Sequence, residues 1–412
     1  MKDQTNRHGR MFWRHWLQRL GVVACGAAIL LGGGIGYYAG ALPDHYYVET
    51  GGALQLQTAL PVTAVQTPSA AATREASLRL FGLFPVKTVS LTPMRRASVY
   101  IGGEPFGIRM LMAGAMVVSL SDITGREGTC CPAAEAGIAV GDVIQAVNGV
   151  TVHSNADVQE QIAMGAGEPL QVTLLRNDLP RTVTVQPVYS VLHGCWQTGM
   201  WVRDSTAGIG TVTYYCDTAG EVYSFGGLGH AVCDTDTGEQ IPLAAGEVVG
   251  VQVTDVLRSK AGSPGALQGR MVAADEWGTL FSNTERGVFG YLEHLPAGKT
   301  AVPIAFRQEV ARGPAEIFTT LSGDAPSRYT IEIEELHSAD TGTRNMVIHI
   351  TDARLLEETG GIIQGMSGSP ILQNGRLVGA VTHVFVSDPT RGYGIFAENM
   401  YAHTLAGQLP EE

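Results

Sequence analysis

The chain has 412 residues, 45% of them hydrophobic and 16% charged, which is enough for two or three domains with sizeable cores. Its formal net charge of −12 is unevenly placed, because residues 1–19 hold five of the 27 basic residues and one of the 39 acidic residues. The acidic remainder argues against a nucleic-acid partner. The 52 glycines and the many alternating Val and Thr residues indicate a mainly β protein.

The basic segment 1–19 precedes an apolar segment, 20–42, and no charged residue follows it before Asp44. About 20 apolar residues span the hydrocarbon core of a membrane, and a cationic flank stays in the cytoplasm. We therefore predict an uncleaved transmembrane signal anchor with the rest of the chain outside the cytoplasm. A signal peptide cleaved near Ala39-Gly40-Ala41 is the alternative.

Residues 43–96 are predicted to form a tether. Between Gln55 and Ser77 the chain is rich in Pro, Thr, Ala, Gln and Ser, most densely at 67–73. Such a composition buries little apolar surface and is open to proteolysis. We expect self-cleavage in this stretch. The more apolar stretch 78–89 is the candidate start of the first folded element.

Residues 97–188 resemble a PDZ domain. The resemblance is carried by Gly103–Ile108, Ala133–Ile138, Gly141–Ile144, Val147–Gly149, the helical stretch Asn155–Met164 and the alternating stretch 170–176. It implies that Pro105, Phe106, Gly107 and Ile108 form a carboxylate-binding loop and strand edge, to which an extended peptide adds as a further strand. A PDZ fold without a ligand is the alternative.

Residues 190–405 hold short alternating strands separated by Gly, Asp and Asn turns, as at 210–215 and 329–334. Regular strand spacing over this length predicts two β-barrels or a sandwich.

A glycine-flanked serine lies in this region, in the stretch Gly365–Pro370. The stretch resembles the nucleophile loop of chymotrypsin-like serine peptidases. Gly365 allows a tight backbone turn, so that the N–H groups of Gly365 and Ser367 can converge as an oxyanion hole. Ser367 is the candidate nucleophile, although a Gly-Ser turn between two strands has the same pattern.

A serine nucleophile needs a base, and the candidate is His230, which ends the glycine-rich stretch 225–230. A surface turn histidine is the alternative interpretation. His383, on the strand after the nucleophile loop, is predicted to line a cleft or to pack.

A carboxylate is expected to hold the tautomer of that base, and Asp352 is the candidate. It ends the strand 346–351 and lies 15 residues before Ser367. An Asp that caps the following turn is an equally good interpretation. Asp204, Asp234 and Asp236 are the other candidates.

The six cysteines show no CxxC and no ligand-like spacing with histidine, so we predict neither a metal site nor a cofactor. A disulfide among Cys195, Cys216 and Cys233 stays open.

Further segments occur in a fixed order around these motifs, and together they resemble the stage IV sporulation protein B peptidase family of endospore-forming bacteria. The matching segments are 203–211, 227–230, 262–269, 283–284 with 287–290, 360–370, 381–386, 388–390 and 392–394. The resemblance implies a chymotrypsin-like double β-barrel peptidase with His230, Asp352 and Ser367 as its triad.

The resemblance also implies a place and a substrate. The family is secreted from the forespore into the space between two membranes, where it cleaves itself and a membrane-bound regulator and so triggers sigma-factor processing. One alternative is a catalytically silent PDZ adaptor. Another is a general envelope quality-control protease, although that class usually places its PDZ domain after the protease domain.

Overall fold

The computed structural model describes residues 4–66, 74–218, 222–323, 325–339 and 342–406. The chain divides into two compact units. The first comprises Met1–Arg96, Phe306–Ala311 and Leu336–Thr341, and the second comprises Ala97–Ala305, Arg312–Glu335 and Gly342–Glu412.

The first unit opens with helix α1 (Gln4–Ala41). The part Val22–Ala41 is long and apolar enough to cross a membrane and is almost wholly uncovered by the rest of the protein. By length and composition, it fits either a membrane anchor or a signal sequence.

A four-stranded sheet follows, in the spatial order β1-β4-β3-β2, with β1 parallel to β4. Its strands are β1 (His45–Glu49), β2 (Val62–Gln66), β3 (Arg74–Leu80) and β4 (Phe84–Met94).

The predicted tether is therefore wrong for most of its described part. Alternate residues of β3, namely Ala76, Leu78 and Leu80, are buried in a core with Tyr46 and Leu91. Alternation with a period of two gives a strand one apolar face, and residues near the end of α1, among them Ile35 and Tyr38, pack in the same core. The densest part of the predicted tether, 67–73, lies outside the described residues.

The second unit begins with the PDZ region and its flanks. Its elements are β5 (Ser98–Ile101), β6 (Pro105–Leu120), β7 (Ile123–Thr124), β8 (Thr129–Cys130), α2 (Pro132–Glu135), β9 (Val143–Val147), β10 (Val150–Thr151), α3 (Asn155–Met164), β11 (Leu170–Arg176), β12 (Leu179–Val185), β13 (Val188–Tyr189) and β14 (Trp196–Gln197).

Local sequence explains two features of the PDZ region. Asn148 and Gly149 both have positive φ, 51° and 78°, and join β9 to β10 as the Asn-Gly hairpin that the sequence predicts. Helix α3 starts at a capping box, in which the Ser154 side chain accepts from the Asp157 N–H and the Asp157 carboxylate accepts from the Ser154 N–H.

Long strands follow and form the first half of the predicted peptidase region: β15 (Met200–Asp217), β16 (Tyr223–Gly227), β17 (Leu243–Leu257), β18 (Ala266–Thr284), β19 (Gly287–Leu292) and β20 (Ala301–Pro303). They join the PDZ strands in one twelve-stranded sheet, which β6 makes continuous. The second half of β6 pairs with β9, and its first half pairs with β17. The predicted boundary at residue 97 therefore differs from the structure, because β5 and the first half of β6 belong to the protease sheet.

After a short 3-10 turn at Arg307–Glu309, the chain forms a closed six-stranded barrel in the order β21-β22-β23-β26-β25-β24. Its elements are β21 (Gly313–Thr319), β22 (Ser327–Leu336), β23 (Met346–Ile350), α4 (Ala353–Thr359), β24 (Pro370–Gln373), β25 (Arg376–Phe385), β26 (Asp388–Phe396) and the final helix α5 (Ala397–Ala406).

The barrel and the long sheet share a hydrophobic core. Tyr214 of β15 and Phe289 of β19 pack in one cluster with Ala380 of β25, Ile395 of β26 and Met400 of α5. This shared core sets the end of β16 beside the loop between α4 and β24. The predicted mainly β fold with an apolar N-terminal helix is confirmed. Of the two barrels that the resemblance implies, the described residues close one, β21–β26, and the strands β15–β20 lie in the twelve-stranded sheet.

Candidate active site

The loop between α4 and β24 carries Ser367, and its glycines are required by geometry. Gly365 and Gly368 have φ values of 97° and 95°, in the left-handed region where a side chain is strained. A Cβ at Gly365 would lie 2.8 Å from the Leu267 Cβ, and one at Gly368 would collide with the Thr211 carbonyl. The sequence prediction of a tight glycine turn at this serine is therefore correct.

The main-chain N–H groups of Gly365 and Ser367 have no hydrogen-bond acceptor within the described part of the chain. Their neighbours Gln364, Met366 and Gly368 all donate to main-chain carbonyls. Two unpaired donors on alternate residues of one turn can stabilise an oxyanion.

The Ser367 side chain is half-buried, and its Oγ donates to the Thr382 carbonyl of β25 at 2.8 Å. Ser369, two residues later, is fully buried, and its hydroxyl has no partner within the described residues. A buried hydroxyl cannot reach a substrate, so Ser367 is the one presented at the surface of the loop.

His230 reaches the same place from the end of β16. Leu228 and Gly229 turn the chain with positive φ values of 63° and 70°. A Cβ on Gly229 would lie 2.9 Å from the Thr382 Cγ2, so this turn is pressed against β25. The structure thus brings His230 to the strand that holds the Ser367 hydroxyl.

The tautomer of His230 follows from its contact. Its Nδ1 lies 2.7 Å from the Ala231 carbonyl oxygen, which can only accept, so Nδ1 carries the proton and Nε2 is a free lone pair. Burial lowers the pKa of His230 below 6.5, which keeps the ring neutral and able to take a proton.

His383 packs against this ring, with a centroid separation of 4.9 Å and planes tilted by 39°. Its Nδ1 is buried without a hydrogen-bond partner in the described structure, and burial, with His230 and Arg344 nearby, lowers its pKa to about 4. The sequence predicted only that His383 lines a cleft or packs. The contact between two rings 153 residues apart has no local sequence signal.

The carboxylate of Asp352 contacts residues other than His230. It accepts from the N–H groups of Thr330, Arg354 and Leu355 and pairs with the Arg354 guanidinium at 3.0 Å. The Arg354 hydrogen bond is the main cause that lowers the pKa of Asp352 to about 2. The prediction that Asp352 holds His230 is thus not met in this structure. Asp352 is the N-cap of α4, which is the alternative interpretation of its sequence position.

The other candidate carboxylates are also engaged away from His230. Asp234 and Asp236 both pair with the Arg203 guanidinium, and Asp204 accepts from the Asn155 N–H at 2.9 Å. Asp234 also caps its own turn through the N–H groups of Asp236 and Thr237.

The predicted peptide-binding residues require a correction. Pro105, Phe106, Gly107 and Ile108 are all buried in β6. This part of β6 pairs with β15 on one side and with β17 on the other. An added strand needs a free edge, and both edges here are occupied. The four residues therefore belong to the protease sheet and offer no site for a peptide.

The six cysteines, all within the described residues, are free thiols. Cys195 and Cys233 are exposed, whereas Cys216 is buried, which raises the pKa of its thiol to about 12. Among the described residues, no group of three or more His, Cys, Asp or Glu side chains is arranged to hold a metal ion.

The comparisons with known proteins identify the two parts of the chain. The SpoIVB peptidase S55 family model matches residues 194–401, half of the chain. The chain belongs to the SpoIVB peptidase S55 family. A PDZ domain model matches residues 108–186. The chain therefore carries a PDZ domain before a region of the S55 peptidase family, and the predicted family is confirmed.

Single relatives match over shorter stretches. "Putative serine protease HhoB" of Synechocystis is 33% identical over 104 residues, which are 25% of this chain and 23% of that protein. A "Putative zinc metalloprotease" of Clostridium acetobutylicum is 29% identical over 101 residues, which are 23% of this chain and 30% of that protein. The chain thus spans about a quarter of the length of the curated relatives it matches.

Among solved structures, the inactive form of the Rv3671c protease covers 48% of this chain and 83% of its own, with 15% identity and a TM-score of 0.28. An inactive mutant of the same Mycobacterium tuberculosis protein gives a TM-score of 0.26 at 14% identity, over 50% of this chain and 84% of its own. Scores this low carry no argument about the fold or the chemistry of this chain.

Proposed function

We propose that this protein is a serine peptidase, with Ser367 as its nucleophile and His230 as its general base. The observation that carries the proposal is the meeting of the two segments at β25. Ser367 donates to Thr382 O, while the His230 turn packs on Thr382 and leaves Nε2 as an acceptor. A serine needs such a base to lose its proton as it attacks a carbonyl.

In the proposed reaction, the Ser367 hydroxyl turns from the Thr382 carbonyl to His230 Nε2. Its proton passes to Nε2 as Oγ bonds to the scissile carbonyl carbon, and the negative charge on the carbonyl oxygen is met by the N–H groups of Gly365 and Ser367. The imidazolium then gives its proton to the leaving amine. Water, activated by His230, releases the acyl group from Oγ.

The Ala231 carbonyl holds His230 Nδ1–H in this arrangement, the position that a carboxylate occupies in a triad. A carbonyl oxygen fixes the tautomer but stabilises the imidazolium less than a full negative charge does. We therefore propose that Asp352 contributes to catalysis only if its carboxylate leaves the N-cap position of α4.

We further propose that the substrates are the protein itself and a membrane-bound regulator of sporulation. The family match and the apolar helix before the folded part support this assignment. The helix would act as a signal anchor, with the peptidase outside the cytoplasm in the space around the forespore. Release by self-cleavage would then free the peptidase from the membrane.

We propose that self-cleavage falls outside the paired strands of the predicted range. Within the predicted range from Gln55 to Ser77, β2 and the start of β3 are paired in a sheet, and paired strands resist proteases. The stretch Gln55–Leu60 lies outside the strands and its side chains are mostly accessible. A substrate tethered to its own protease has a high effective concentration, which favours a cut in this stretch.

One pair of proteins tests the proposal: full-length wild type and Ser367→Ala, both in membranes. A fluorophosphonate probe should label wild type at Ser367 and leave the variant unlabelled. N-terminal mapping should find new termini between Gln55 and Leu60 in wild type alone. If the variant is trimmed at the same bonds, another protease makes the cut. If wild type is neither labelled nor trimmed, the silent-adaptor alternative holds.

A further inference from the structure

Strand β15 touches both the PDZ region and the nucleophile loop. Its first residues pair with the second half of β6, with Met200 opposite Leu120 and Arg203 opposite Met116. The same half of β6 pairs with β9 on its other side. The start of β15 is therefore the outer strand of the PDZ sheet, supplied by the peptidase region.

Side chains anchor this end of the strand. Trp196, Met200 and Val202 pack against the buried core of the PDZ region. The carboxylate of Asp204 accepts from the N–H of Asn155, the first residue of α3, at 2.9 Å. The strand is thus held by the PDZ sheet on one side and by the start of α3 on the other.

The other end of β15 holds the nucleophile loop by three carbonyls. The Thr211 N–H donates to Ser367 O at 2.9 Å, and the Thr211 Oγ1 donates to Gly365 O at 2.7 Å. The Thr213 Oγ1 donates to Gly368 O at 2.7 Å. These contacts fix the peptide planes next to the unpaired N–H groups of Gly365 and Ser367.

From Val202 to Thr211 an extended strand covers about 30 Å. β15 is paired with β6 along this length, which stiffens it, although two bulges interrupt the register near Trp201 and Asp204. The paired strand is thus one continuous hydrogen-bonded element between the PDZ sheet and the nucleophile loop, and contiguous elements of this kind can carry coupling between distant sites.

We propose that β15 is the link through which the PDZ domain sets the oxyanion donors, with Thr211 and Thr213 as positioning residues. The PDZ edge binds Met200–Arg203 of its own chain as an internal ligand. Loss of that contact loosens the nucleophile loop, and the loop loses the alignment that an oxyanion requires. The inference rests on the proposed role of Ser367.

The first test replaces one hydroxyl in full-length protein. Thr211→Val keeps the strand but leaves Gly365 O without its donor, so fluorophosphonate labelling of Ser367 should slow by about tenfold, with kcat reduced and KM little changed. Thr211→Ser restores the donor and should restore the rate. Thr206→Val, on the same strand away from the loop, is the matched control and should label like wild type.

The second test acts at the PDZ end. Val202→Ala removes an anchor from the PDZ core and should both slow labelling and speed amide hydrogen exchange in a peptide covering 361–369. Thr206→Val, the matched control of the first test, should change neither. A thermal melt of each variant corrects for any unfolded fraction.

The outcomes separate the two proposals. If wild type is not labelled, the assignment of Ser367 fails, yet exchange at 361–369 still tests the link. If wild type is labelled, and Thr211→Val and Val202→Ala match it in labelling and exchange, then β15 does not position the loop.

Discussion

The two halves of the candidate site are carried by regions that are built differently. The closed barrel β21–β26 carries Ser367 and has a partly exposed group of ion pairs, in which Arg391 contacts Glu334 and Asp388. The twelve-stranded sheet carries His230 after β16, and the segments before β6 and β20 hold a buried ion pair, Glu104 with Lys299, whose side chains are only 9% and 8% exposed. The barrel is closed on itself, whereas the sheet is shared with the PDZ region.

This difference predicts two kinds of mutational effect. A substitution in the partly exposed ion pairs of the barrel should have a small, local effect on stability, because solvent screens exposed charges. A change inside the sheet disturbs long strands that also support the nucleophile loop and the PDZ core. Variants on the two sides of this contrast should therefore differ in the size of their effects, with the largest effects where the two regions meet at the candidate site.

Ser367→Ala should abolish peptidase activity, with a loss of several orders of magnitude, because no other hydroxyl replaces its Oγ. Ser369→Ala is the matched control on the same loop. Its buried hydroxyl has no partner in the described structure, so its removal should leave turnover near that of wild type. Purified variants and a fluorogenic peptide suffice for the measurement. Full activity in Ser367→Ala would disprove the assignment of Ser367 as the nucleophile.

His230→Gln should lose activity to a similar extent, and the pH dependence of wild type should show why. Burial lowers the pKa of His230, and the reaction needs the neutral ring. kcat/KM should therefore hold as pH falls to 6.5 and decline only below that value.

One result of the pH experiment would contradict a lowered pKa of His230. An acid limb centred at or above pH 6.5 would mean that a carboxylate raises the pKa of His230 in the working enzyme. That result would favour a triad in which a carboxylate joins the ring.

Lys299→Met tests the buried pair of the sheet. It leaves the Glu104 carboxylate buried, with the Tyr215 hydroxyl as its remaining hydrogen-bond donor at 3.0 Å, and an unpaired buried charge costs about 3–5 kcal/mol. Urea unfolding should show this loss. The double variant Glu104→Gln with Lys299→Met has no unpaired buried charge, so it should regain part of the lost unfolding free energy.

Arg391→Met is the comparison in the barrel. Its partners Glu334 and Asp388 stay accessible to water, so the loss of unfolding free energy should be clearly smaller than for Lys299→Met. Equal losses would contradict the contrast between the two regions.

Asp352→Ala should cost about 1 kcal/mol of unfolding free energy, the usual value of an N-cap. Because the folded pKa is lowered to about 2, the carboxylate stabilises the fold above about pH 4 and loses this effect as pH falls towards 2. The measurement is urea unfolding from pH 7 to pH 2.

Asp352→Asn separates the cap from catalysis, since Asn is also a good N-cap. We expect a folded protein whose turnover falls little. A fall of several orders of magnitude in this variant would show that Asp352 reaches His230 in the working enzyme, as the sequence predicts.

Much of the fold was open to prediction from local pattern. Gly365 and Gly368 predicted a tight turn that favours glycine, and Asn148-Gly149 predicted a hairpin. Both predictions succeed because the backbone freedom of these residues is a local property. The apolar segment before Asp44 predicted the long helix. The strand β3 had its signal too, since Ala76, Leu78 and Leu80 alternate, but the Pro-rich and Ala-rich neighbourhood favoured a tether.

The sequence by itself determined the family and the mainly β class, and it indicated Ser367 and His230 as candidate site residues, because each depends on residue types at fixed local spacing. Only the tertiary structure decided that Phe106 is enclosed between two strands, that Asp352 caps a helix, that His383 contacts His230 and that Thr211 holds the nucleophile loop. These outcomes depend on which strands pair and in which register. Pairing is selected by the burial of whole faces across more than a hundred residues, and no local pattern records it.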